Sequence, residues 1–454
     1  MGDGHRYIPA SDADRAAMLR EIGVPGIDDL FASIPPALRL TKPLAVPGPL
    51  SEMELLAELA ARGGENRAFE AHAQFLGGGA YRHFTPSIVD HLIGRTEFYS
   101  SYTPYQPEIS QGTLQAIFEY QTLICQLAGL DIANASMYEG ASALAEGVLM
   151  AERLSPKGRV VLSAGVHPEY ARVVRTYLDN LDVAIATIGQ RPDGTADAEA
   201  ARRAPGEGTR ASALVIQHPN FFGCLEEVEE LARAAHQAGA ALIVAVSEPV
   251  ALGLLKAPGH QGADILLGEG HSFGVPLSFG GPYLGFMAAR NAFLRNMPGR
   301  LVGETRDVDG RRGYVLTLST REQHIRREKA TSNICTNEGL CALTAAIFMA
   351  ALGKEGLREL AVHNHAKAAY AQKRLAATRG LRLPHGAPIF NEFVVTLPVA
   401  AEAAVRALGE RGLVPGIPLS RYLPERERDL LVCVTEVNPR SEIDRLAAEL
   451  GRLA

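Results

Sequence analysis

The chain has 454 residues, of which 47% are hydrophobic and 21% charged, so its composition is that of a folded globular protein and not of a disordered one. A chain of this length is expected to form two or three domains, each large enough to bury its own core. Its 45 basic and 51 acidic residues give a net charge of −6, which leaves no basic excess to neutralise phosphates and disfavours a nucleic-acid partner.

The five cysteines are widely spaced, with no C-x-x-C pair and no Cys/His ligand cluster. This pattern argues against a disulfide framework and against a metal site, and it fits a reducing compartment. The longest apolar runs, near residues 238–246 and 342–352, fall short of the roughly 20 residues that a membrane-spanning helix needs. We therefore expect a cytoplasmic protein without a membrane segment.

The first 80 residues are expected to form a helical arm. Ser11 is a suitable N-cap for a helix that Gly23 would end, and prolines between residues 35 and 49 prevent long regular elements. The apolar side chains of such an arm would need a surface to cover them.

From residue 110 the hydrophobic period alternates between helical and strand-like. Helices are predicted at residues 111–129, 142–154, 169–180 and 226–238, and strands at 133–137, 159–162, 183–188, 213–217, 241–246 and 264–267. Repeated strand–helix–strand units predict an α/β domain over residues 81–344, with a mainly parallel sheet covered by helices on both faces.

Residues 345–454 are predicted to form a smaller α/β domain. Its expected helices cover residues 357–378, 400–411 and 441–453, and its expected strands cover 392–397, 413–418 and 430–435. The short strands favour an antiparallel sheet with the helices packed on it.

Candidate ligand-binding residues follow the predicted strands, where open parallel sheets bind their ligands. Gly140 and Ser142 open a helix whose backbone N–H groups could hold a phosphate, although a tight turn with Ser142 as the helix cap would also explain them. His167 could stack on a planar ligand or simply begin a helix. Glu248 could pair with a heterocycle nitrogen or be a solvated acid at a strand end.

In combination, these signals resemble the fold type I pyridoxal-phosphate enzymes, in which a lysine follows a later strand. Where that pattern has His-Lys, this chain has His271 and Ser272. A serine hydroxyl does not form a stable imine with the cofactor aldehyde, so catalysis by this chain alone is not expected. No other lysine stands at the required place; the chain has only Lys42, Lys157, Lys256, Lys329, Lys354, Lys367 and Lys373.

Longer blocks make the resemblance more specific. Residues 102–112 read YTPYQPEISQG and residues 321–336 read REQHIRREKATSNICT; shorter blocks lie at 75–81 and 252–259. These resemble the glycine dehydrogenase (decarboxylating) family, the P-protein of the glycine cleavage system, and within it the first subunit of the two-subunit bacterial form.

The resemblance implies a division of labour between two chains. A second subunit would carry the lysine and pyridoxal phosphate, decarboxylate glycine and pass the aminomethyl group to the lipoyl arm of the H-protein. The present chain would pack against it in an α2β2 assembly and complete its active site. Its own strand-end residues would be remnants of a second cofactor site: Gly140, Ser142, His167, Glu248, His271 and Ser272.

Two segments are expected to face the partner. Thr331, Ser332 and Asn333 occupy the place from which a loop of fold type I dimers reaches the other subunit's cofactor phosphate, although they could also cap a helix. Residues 102–111 are expected to line the path of glycine or lipoyl, unless their tyrosines only pack at the interface; the residues concerned are Tyr102, Tyr105, Gln106, Glu108 and Ser110.

Two other functions are compatible with the sequence. One is a homomeric pyridoxal-phosphate enzyme with a relocated lysine, for which Lys329 is the candidate. The other is a scaffold that only stabilises its partner, in which case changes to interface polar residues would leave turnover intact.

Overall fold

The computed structural model of the chain describes residues 9–40, 42, 44–66, 72–100, 102–204 and 210–453. The backbone divides into two compact units, an N-terminal unit of residues 1–67 and a main unit of residues 68–454. The first eight residues of the predicted arm lie outside the described residues.

The N-terminal unit contains two α-helices, α1 (Asp12–Ile22) and α2 (Glu52–Gly63). Each begins at a serine that exchanges hydrogen bonds with the acidic residue three positions on, which satisfies N–H groups of the first turn. The first helix is confirmed with its predicted Ser11 cap, and it ends at Gly23 with a φ of 81°. None of the described residues from 9 to 66 is buried.

The main unit alternates strands and helices as predicted. In chain order its strands are β1 (Ala73–Gln74), β2 (Ile132–Ala133), β3 (Arg159–Ser163), β4 (Ala184–Ile188), β5 (Ala213–Gln217), β6 (Ala241–Val246), β7 (Ile265–Glu269), β8 (Gly285–Ala289), β9 (Leu301–Arg306), β10 (Arg312–Thr317), β11 (Glu392–Thr396), β12 (Leu413–Val414), β13 (Ile417–Pro418) and β14 (Asp429–Cys433). Its helices are α3 (Ser87–Ile93), α4 (Gln111–Ala128), α5 (Gly140–Leu154), α6 (Pro168–Leu178), α7 (Ala198–Arg203), α8 (Val228–Gln237), α9 (Gln323–Arg326), α10 (Gly339–Ala376), α11 (Ala401–Gly409) and α12 (Arg440–Gly451).

The central sheet has seven strands in the order β2-β8-β7-β6-β5-β3-β4. β8 runs antiparallel to both of its neighbours, and the other pairs of adjacent strands are parallel. Along β6, Leu242 and Val244 pack into one buried cluster, whereas Ile243 and Ala245 pack into another. The sheet is therefore covered on both faces, and the predicted mainly parallel architecture is confirmed.

Strand order positions the candidate site. β4 lies on one side of β3 and β5 on the other, so the direction of winding reverses at β3. In open sheets such a reversal leaves a crevice outside the carboxyl ends of the strands. The predicted strand-end residues fall along this edge.

The C-terminal region contains the predicted antiparallel sheet, with strand order β11-β14-β13. β1 pairs in parallel with β12, which joins residues 73–74 to this region. The boundaries predicted at residues 80 and 344 stay predictions; α10 runs across the second one.

Helix α10 is long and apolar enough to cross a membrane by length and composition, but 44% of its most apolar window is buried inside the structure. It is also interrupted at Gly353, whose φ of 61° and ψ of −174° are not helical. Its Ala345, Phe348 and Ala361 pack into the main hydrophobic cluster, so this helix forms part of the protein core.

The hairpin of β9 and β10 was not predicted from the sequence. Six residue pairs join its strands, and the outer half of β9, which includes Glu304, is exposed. The strand predicted at residues 133–137 is confirmed only at its start, since β2 covers Ile132–Ala133 and Met137 makes a single bridge to Gly285.

Candidate functional site

The first part of the candidate site is the amino end of α5. The carboxylate of Glu139 accepts hydrogen bonds from the backbone N–H groups of Ala141 at 2.5 Å and Ser142 at 2.6 Å. The carboxylate of Glu269, at the end of β7, accepts one from the N–H of Gly140 at 3.1 Å. Ser142 was one candidate for the helix cap, but the cap is Glu139, and the Ser142 hydroxyl donates to the Glu139 carbonyl instead.

Glu269 is almost fully buried, and burial raises its pKa to about 7. Its second oxygen accepts hydrogen bonds from the backbone N–H groups of His271 and Leu284. This carboxyl group thus joins the α5 terminus to the segment after β7 that contains Ser272. Sequence reasoning missed both Glu139 and Glu269, because neither belongs to a residue type that usually binds phosphate.

His167 begins helix α6 after β3. Its Nδ1 accepts a hydrogen bond from the N–H of Glu169 at 3.1 Å, and its Nε2 lies 2.8 Å from the carbonyl oxygen of Gly78. The ring packs against Tyr170 and Phe221 at centroid distances of 5.0 and 4.8 Å. Burial lowers the pKa of His167, so the ring is a neutral helix cap whose two nitrogens both have partners.

Glu248 follows β6 and lies against His83. The Nε2 of His83 is 2.8 Å from Glu248 and its Nδ1 is 2.9 Å from Glu436; the His83 and Glu248 side chains are only 3% and 2% exposed. Asn391 donates a further hydrogen bond to Glu248 at 3.1 Å, and Asn364 donates one to Glu436 at 2.9 Å. Glu248 is therefore a buried, paired acid and not a solvated one.

The two carboxylates keep His83 protonated. Burial alone would lower the pKa of His83, but the charges of Glu248 and Glu436 and the hydrogen bonds to them raise it to about 10. Burial acts against ionisation of Glu436 as well, yet its hydrogen bond to His83 holds the pKa of Glu436 below the usual value. An imidazolium between two carboxylates results. His83 has no sequence signal of its own, because its partners are distant in the chain.

The segment before His83 crosses the carboxyl edge of the sheet. Tyr81 donates its hydroxyl hydrogen to Glu392 at 2.7 Å, and its backbone N–H donates to His271 Nε2 at 3.1 Å. Burial raises the pKa of Glu392 to about 7 and lowers that of His271 to about 4. Close approach explains Gly77, since a Cβ atom there would lie 2.2 Å from Glu392 Oε1.

Ser272 lies beside a cavity of about 410 Å³ that is also lined by Tyr81, His83 and His271. The residue is 2% exposed, and its hydroxyl has no hydrogen-bond partner among the residues that the structure describes. None of the chain's seven lysines, all within the described part, lines this cavity. The candidate Lys329 is an exposed residue in a turn after α9.

The predicted partner-facing loop before α4 is largely exposed. Tyr102 and Tyr105 are 89% and 52% exposed, and Gln106 and Glu108 are also exposed. Ser110, half-buried, is the N-cap residue of α4 but makes no side-chain capping hydrogen bond.

This loop is fixed to the β9–β10 hairpin. The Gln111 side chain donates to the carbonyl oxygens of Pro107 and Tyr314, each at 2.8 Å, and accepts from the Tyr314 N–H at 2.8 Å. The loop is therefore a supported surface feature, although Tyr102, Gln106 and Glu108 are exposed.

Tyr105 belongs to a polar cluster that sequence reasoning missed, which we call the Arg300 cluster: Tyr105, Arg300, Glu322 and His324. Arg300 donates to the Tyr105 hydroxyl at 2.5 Å and lies 3.6 Å from Glu322, and the rings of Tyr105 and His324 meet edge to face. Arg300 is 3% exposed, yet its Nε and Nη1 have no hydrogen-bond partner within the described residues, nor has Glu322 Oε1.

The second predicted partner-facing segment lies beside α5. The Ser332 hydroxyl donates to Glu146 at 2.8 Å and accepts from the Ile334 N–H, so it already has two partners within the chain. Thr331 donates its backbone N–H to the Arg321 carbonyl. Asn333 is exposed and lines a cavity of about 480 Å³ with Thr331 and Ser332.

The model of the glycine cleavage system P-protein family matches residues 5–450. The chain belongs to this family. It is 49% identical over 449 residues to the probable glycine dehydrogenase (decarboxylating) subunit 1 of Desulforamulus reducens, covering 99% of this chain and 100% of that one. It is 51% identical over 445 residues to the protein of the same name from Geotalea uraniireducens, covering 98% and 99%.

Solved structures agree with this membership. A crystal structure of a glycine decarboxylase (P-protein) of the glycine cleavage system, in inhibitor-bound form, is 45% identical, with a TM-score of 0.88 over 99% of this chain and 100% of that one. A Burkholderia pseudomallei sphingosine-1-phosphate lyase shares the fold at 18% identity, with a TM-score of 0.64 over 91% and 92%. The predicted fold type I architecture and the P-protein resemblance are thus confirmed.

No group of three or more His, Cys, Asp or Glu side chains in the described part of the chain is arranged to hold a metal ion. At the sheet edge, His167, Glu248 and Glu269 instead have hydrogen-bond partners within the chain, whereas the Ser272 hydroxyl has none among the described residues.

Proposed function

We propose that this chain is the subunit of a two-chain glycine decarboxylase that holds no pyridoxal phosphate and completes the active site of a cofactor-bearing partner. The observation that carries the proposal is Ser272, a buried serine after β7 where the fold type I pattern has its lysine. The 49% identity to a subunit 1 protein along the whole chain supports the same assignment.

In the proposed complex, the partner is P-protein subunit 2, and the assembly is an α2β2 heterotetramer in the cytoplasm. Pyridoxal phosphate, held by the partner, would supply the electron sink for the decarboxylation of glycine. The aminomethyl group then passes to the lipoyl arm of the H-protein. Neither a membrane nor a nucleic acid takes part.

This chain contributes a wall to that site. The loop of residues 102–110 lines the path of glycine and lipoyl, with exposed Tyr102, Tyr105, Gln106 and Glu108 facing the reactants. The hydrogen bonds between Gln111 and the β9–β10 hairpin hold this loop in position. Its exposed side chains then exclude water from the reacting atoms.

In this proposal the segment of Thr331, Ser332 and Asn333 reaches the partner's cofactor phosphate. Exposed Asn333 is the residue whose side chain is available for that contact. Because the Ser332 hydroxyl is held by Glu146, Ser332 acts by fixing the segment rather than by direct donation. The exposed apolar side chains of the N-terminal unit, such as Leu38 and Met53, at 76% and 78% exposure, are covered by the partner.

Reconstitution tests this function. Glycine–bicarbonate exchange is measured with H-protein and subunit 2 alone, and again after this chain is added. We expect exchange only when both subunits are present. Full exchange by subunit 2 alone would overturn the proposal, and so would exchange by this chain alone.

A further inference from the structure

Bound pyridoxal phosphate needs three kinds of partner: donors for its phosphate, an acid for its ring nitrogen and an amine for its aldehyde. In this chain, side chains already occupy the phosphate and ring-nitrogen positions along the carboxyl edge, and a serine stands at the lysine position. We infer that the chain's own side chains close its cofactor pocket, so that it binds pyridoxal phosphate neither covalently nor reversibly. This inference concerns the chain by itself and does not depend on the proposed function in the complex.

The phosphate position is filled by carboxylates. The three consecutive N–H groups at the start of α5 all donate to Glu139 or Glu269, at 2.5 to 3.1 Å. A phosphate could reach them only by displacing charge-assisted hydrogen bonds while meeting like charge from Glu139. Each such bond corresponds to about tenfold or more in affinity, so loss of three weakens phosphate binding by at least about 1,000-fold.

The ring-nitrogen position is filled by His83. Glu248 is the acid at the end of β6, and its Oε2 already lies 2.8 Å from the His83 imidazolium and 3.1 Å from Asn391. Its Oε1 accepts a hydrogen bond from the Val250 N–H. His83 thus supplies the positively charged ring N–H that the pyridinium of a bound cofactor would otherwise donate to Glu248. Both oxygens of Glu248 then already have hydrogen-bond partners within the chain.

The segment that carries His83 is built into the protein core. Tyr81 donates to Glu392 and packs parallel to His271, and the carbonyl of Arg82 accepts from the Thr435 hydroxyl at 2.7 Å. The N–H of Phe84 donates to Glu436 at 2.6 Å. These contacts tie the segment to the C-terminal sheet and its neighbours, so withdrawal of His83 would break several buried hydrogen bonds together.

The consequence is that loss of the lysine is only one of three changes. Replacing Ser272 with lysine would place an amine beside the 410 Å³ cavity, but it would leave the phosphate and ring-nitrogen positions occupied. Lysine restoration alone should therefore fail to produce a cofactor-binding chain.

Titration of the full-length chain with pyridoxal phosphate tests the inference. The wild type, Ser272→Lys and a control, Ser420→Lys, are compared by the absorption band of lysine-bound cofactor after dialysis. Ser420 is a suitable control because its hydroxyl, like that of Ser272, has no partner among the described residues, but it lies in the C-terminal region. We expect no band in Ser272→Lys above the Ser420→Lys level. A saturable band in Ser272→Lys would overturn the inference.

A second measurement does not require any lysine variant to fold. The imidazole signals of His83 in the wild type are observed by histidine-selective NMR, with assignment from His83→Gln, while pyridoxal phosphate is added. We expect the His83 signals to stay unchanged. A saturable shift of those signals would show that cofactor enters the pocket and would overturn the inference even if Ser272→Lys were unfolded.

Discussion

The carboxyl edge of the central sheet and the Arg300 cluster differ in whether their polar side chains have hydrogen-bond partners within the chain. At the sheet edge, His167 and the His83 pair with Glu248 have partners within the chain. In the Arg300 cluster, a buried guanidinium has two nitrogens without hydrogen-bond partners among the described residues, next to the half-exposed Tyr105. This difference supports the proposal that the sheet edge is structural and that contacts with other molecules lie on the Tyr105 side.

The largest expected effect is the loss of His83. His83→Ala would leave Glu248 and Glu436 facing each other in the interior without their shared cation. Removing one member of a buried ion pair costs about 3–5 kcal/mol of folding free energy. Denaturant unfolding of the full chain measures this change.

The matched control is His363→Ala, because His363 is 60% exposed and its carboxylate neighbour is 3.7 Å away. We expect this control to stay within about 0.5 kcal/mol of the wild type. If the two substitutions lower the free energy of unfolding equally, His83 contributes no more to stability than an exposed surface histidine.

The pH dependence of stability sharpens the same comparison. The pKa of His83 is raised to about 10 in the folded chain, above the value of 6.5 for an unperturbed histidine. The folded state therefore keeps a proton that the unfolded state loses, and this stabilisation is complete below pH 6.5 and disappears as pH rises toward 10. The slope is at most about 1.4 kcal/mol per pH unit.

Unfolding midpoints from pH 6.5 to 10 measure that slope in the wild type and in His83→Gln. The wild type should lose stability more steeply than the variant over this range. Parallel curves would mean that His83 is neutral in the folded chain.

In the Arg300 cluster, Tyr105→Phe should change the turnover of the complex more than its assembly. The substitution removes the hydroxyl that accepts a hydrogen bond from Arg300 at 2.5 Å. A hydrogen bond to a charged group accounts for about tenfold or more, so we expect a drop of that size in kcat/KM of the reconstituted complex.

Tyr99→Phe provides the control, since Tyr99 is 69% exposed and lies outside the Arg300 cluster. Both variants should form the complex normally by gel filtration. If Tyr105→Phe and Tyr99→Phe turn over glycine equally fast, the loop only packs at the interface.

The smallest expected effect concerns Asn333. Asn333→Ala should weaken retention of pyridoxal phosphate by the reconstituted complex about fivefold, the equivalent of one neutral hydrogen bond. Ser332→Ala tests the supporting contact to Glu146 in the same assay. The control is Asn291→Ala, another exposed asparagine. Unchanged retention and turnover in both Asn333→Ala and Ser332→Ala would remove this segment from the proposed site.

The secondary-structure elements predicted best from the sequence are those that are buried along their whole length. β5 and β6 were predicted at their exact ends, because strands buried on both faces are continuous apolar runs. β9 and β10 were missed because they form an isolated pair with much polar, partly exposed sequence, which gives neither an apolar run nor a clear alternation.

The sequence predicted which residues follow the strands at the site, but not which of them form hydrogen bonds or ion pairs with one another. Glu248 and His271 could be placed at strand ends by pattern, but the partner of Glu248 is His83, 165 residues away, and no local rule connects them. Glu139 was missed as a helix cap because Ser142 is the residue type that favours that role. Long-range pairing of this kind is a property of the folded chain.

Cofactor mapping in the complex shows which chain holds pyridoxal phosphate. The reconstituted, active complex is reduced with borohydride, which fixes pyridoxal phosphate to the lysine that holds it, and the peptides of both chains are analysed. We expect modification of one lysine of subunit 2 and of none of the seven lysines of this chain, with glycine turnover lost when this chain is left out. Modification of a lysine of this chain that accompanies activity would contradict it.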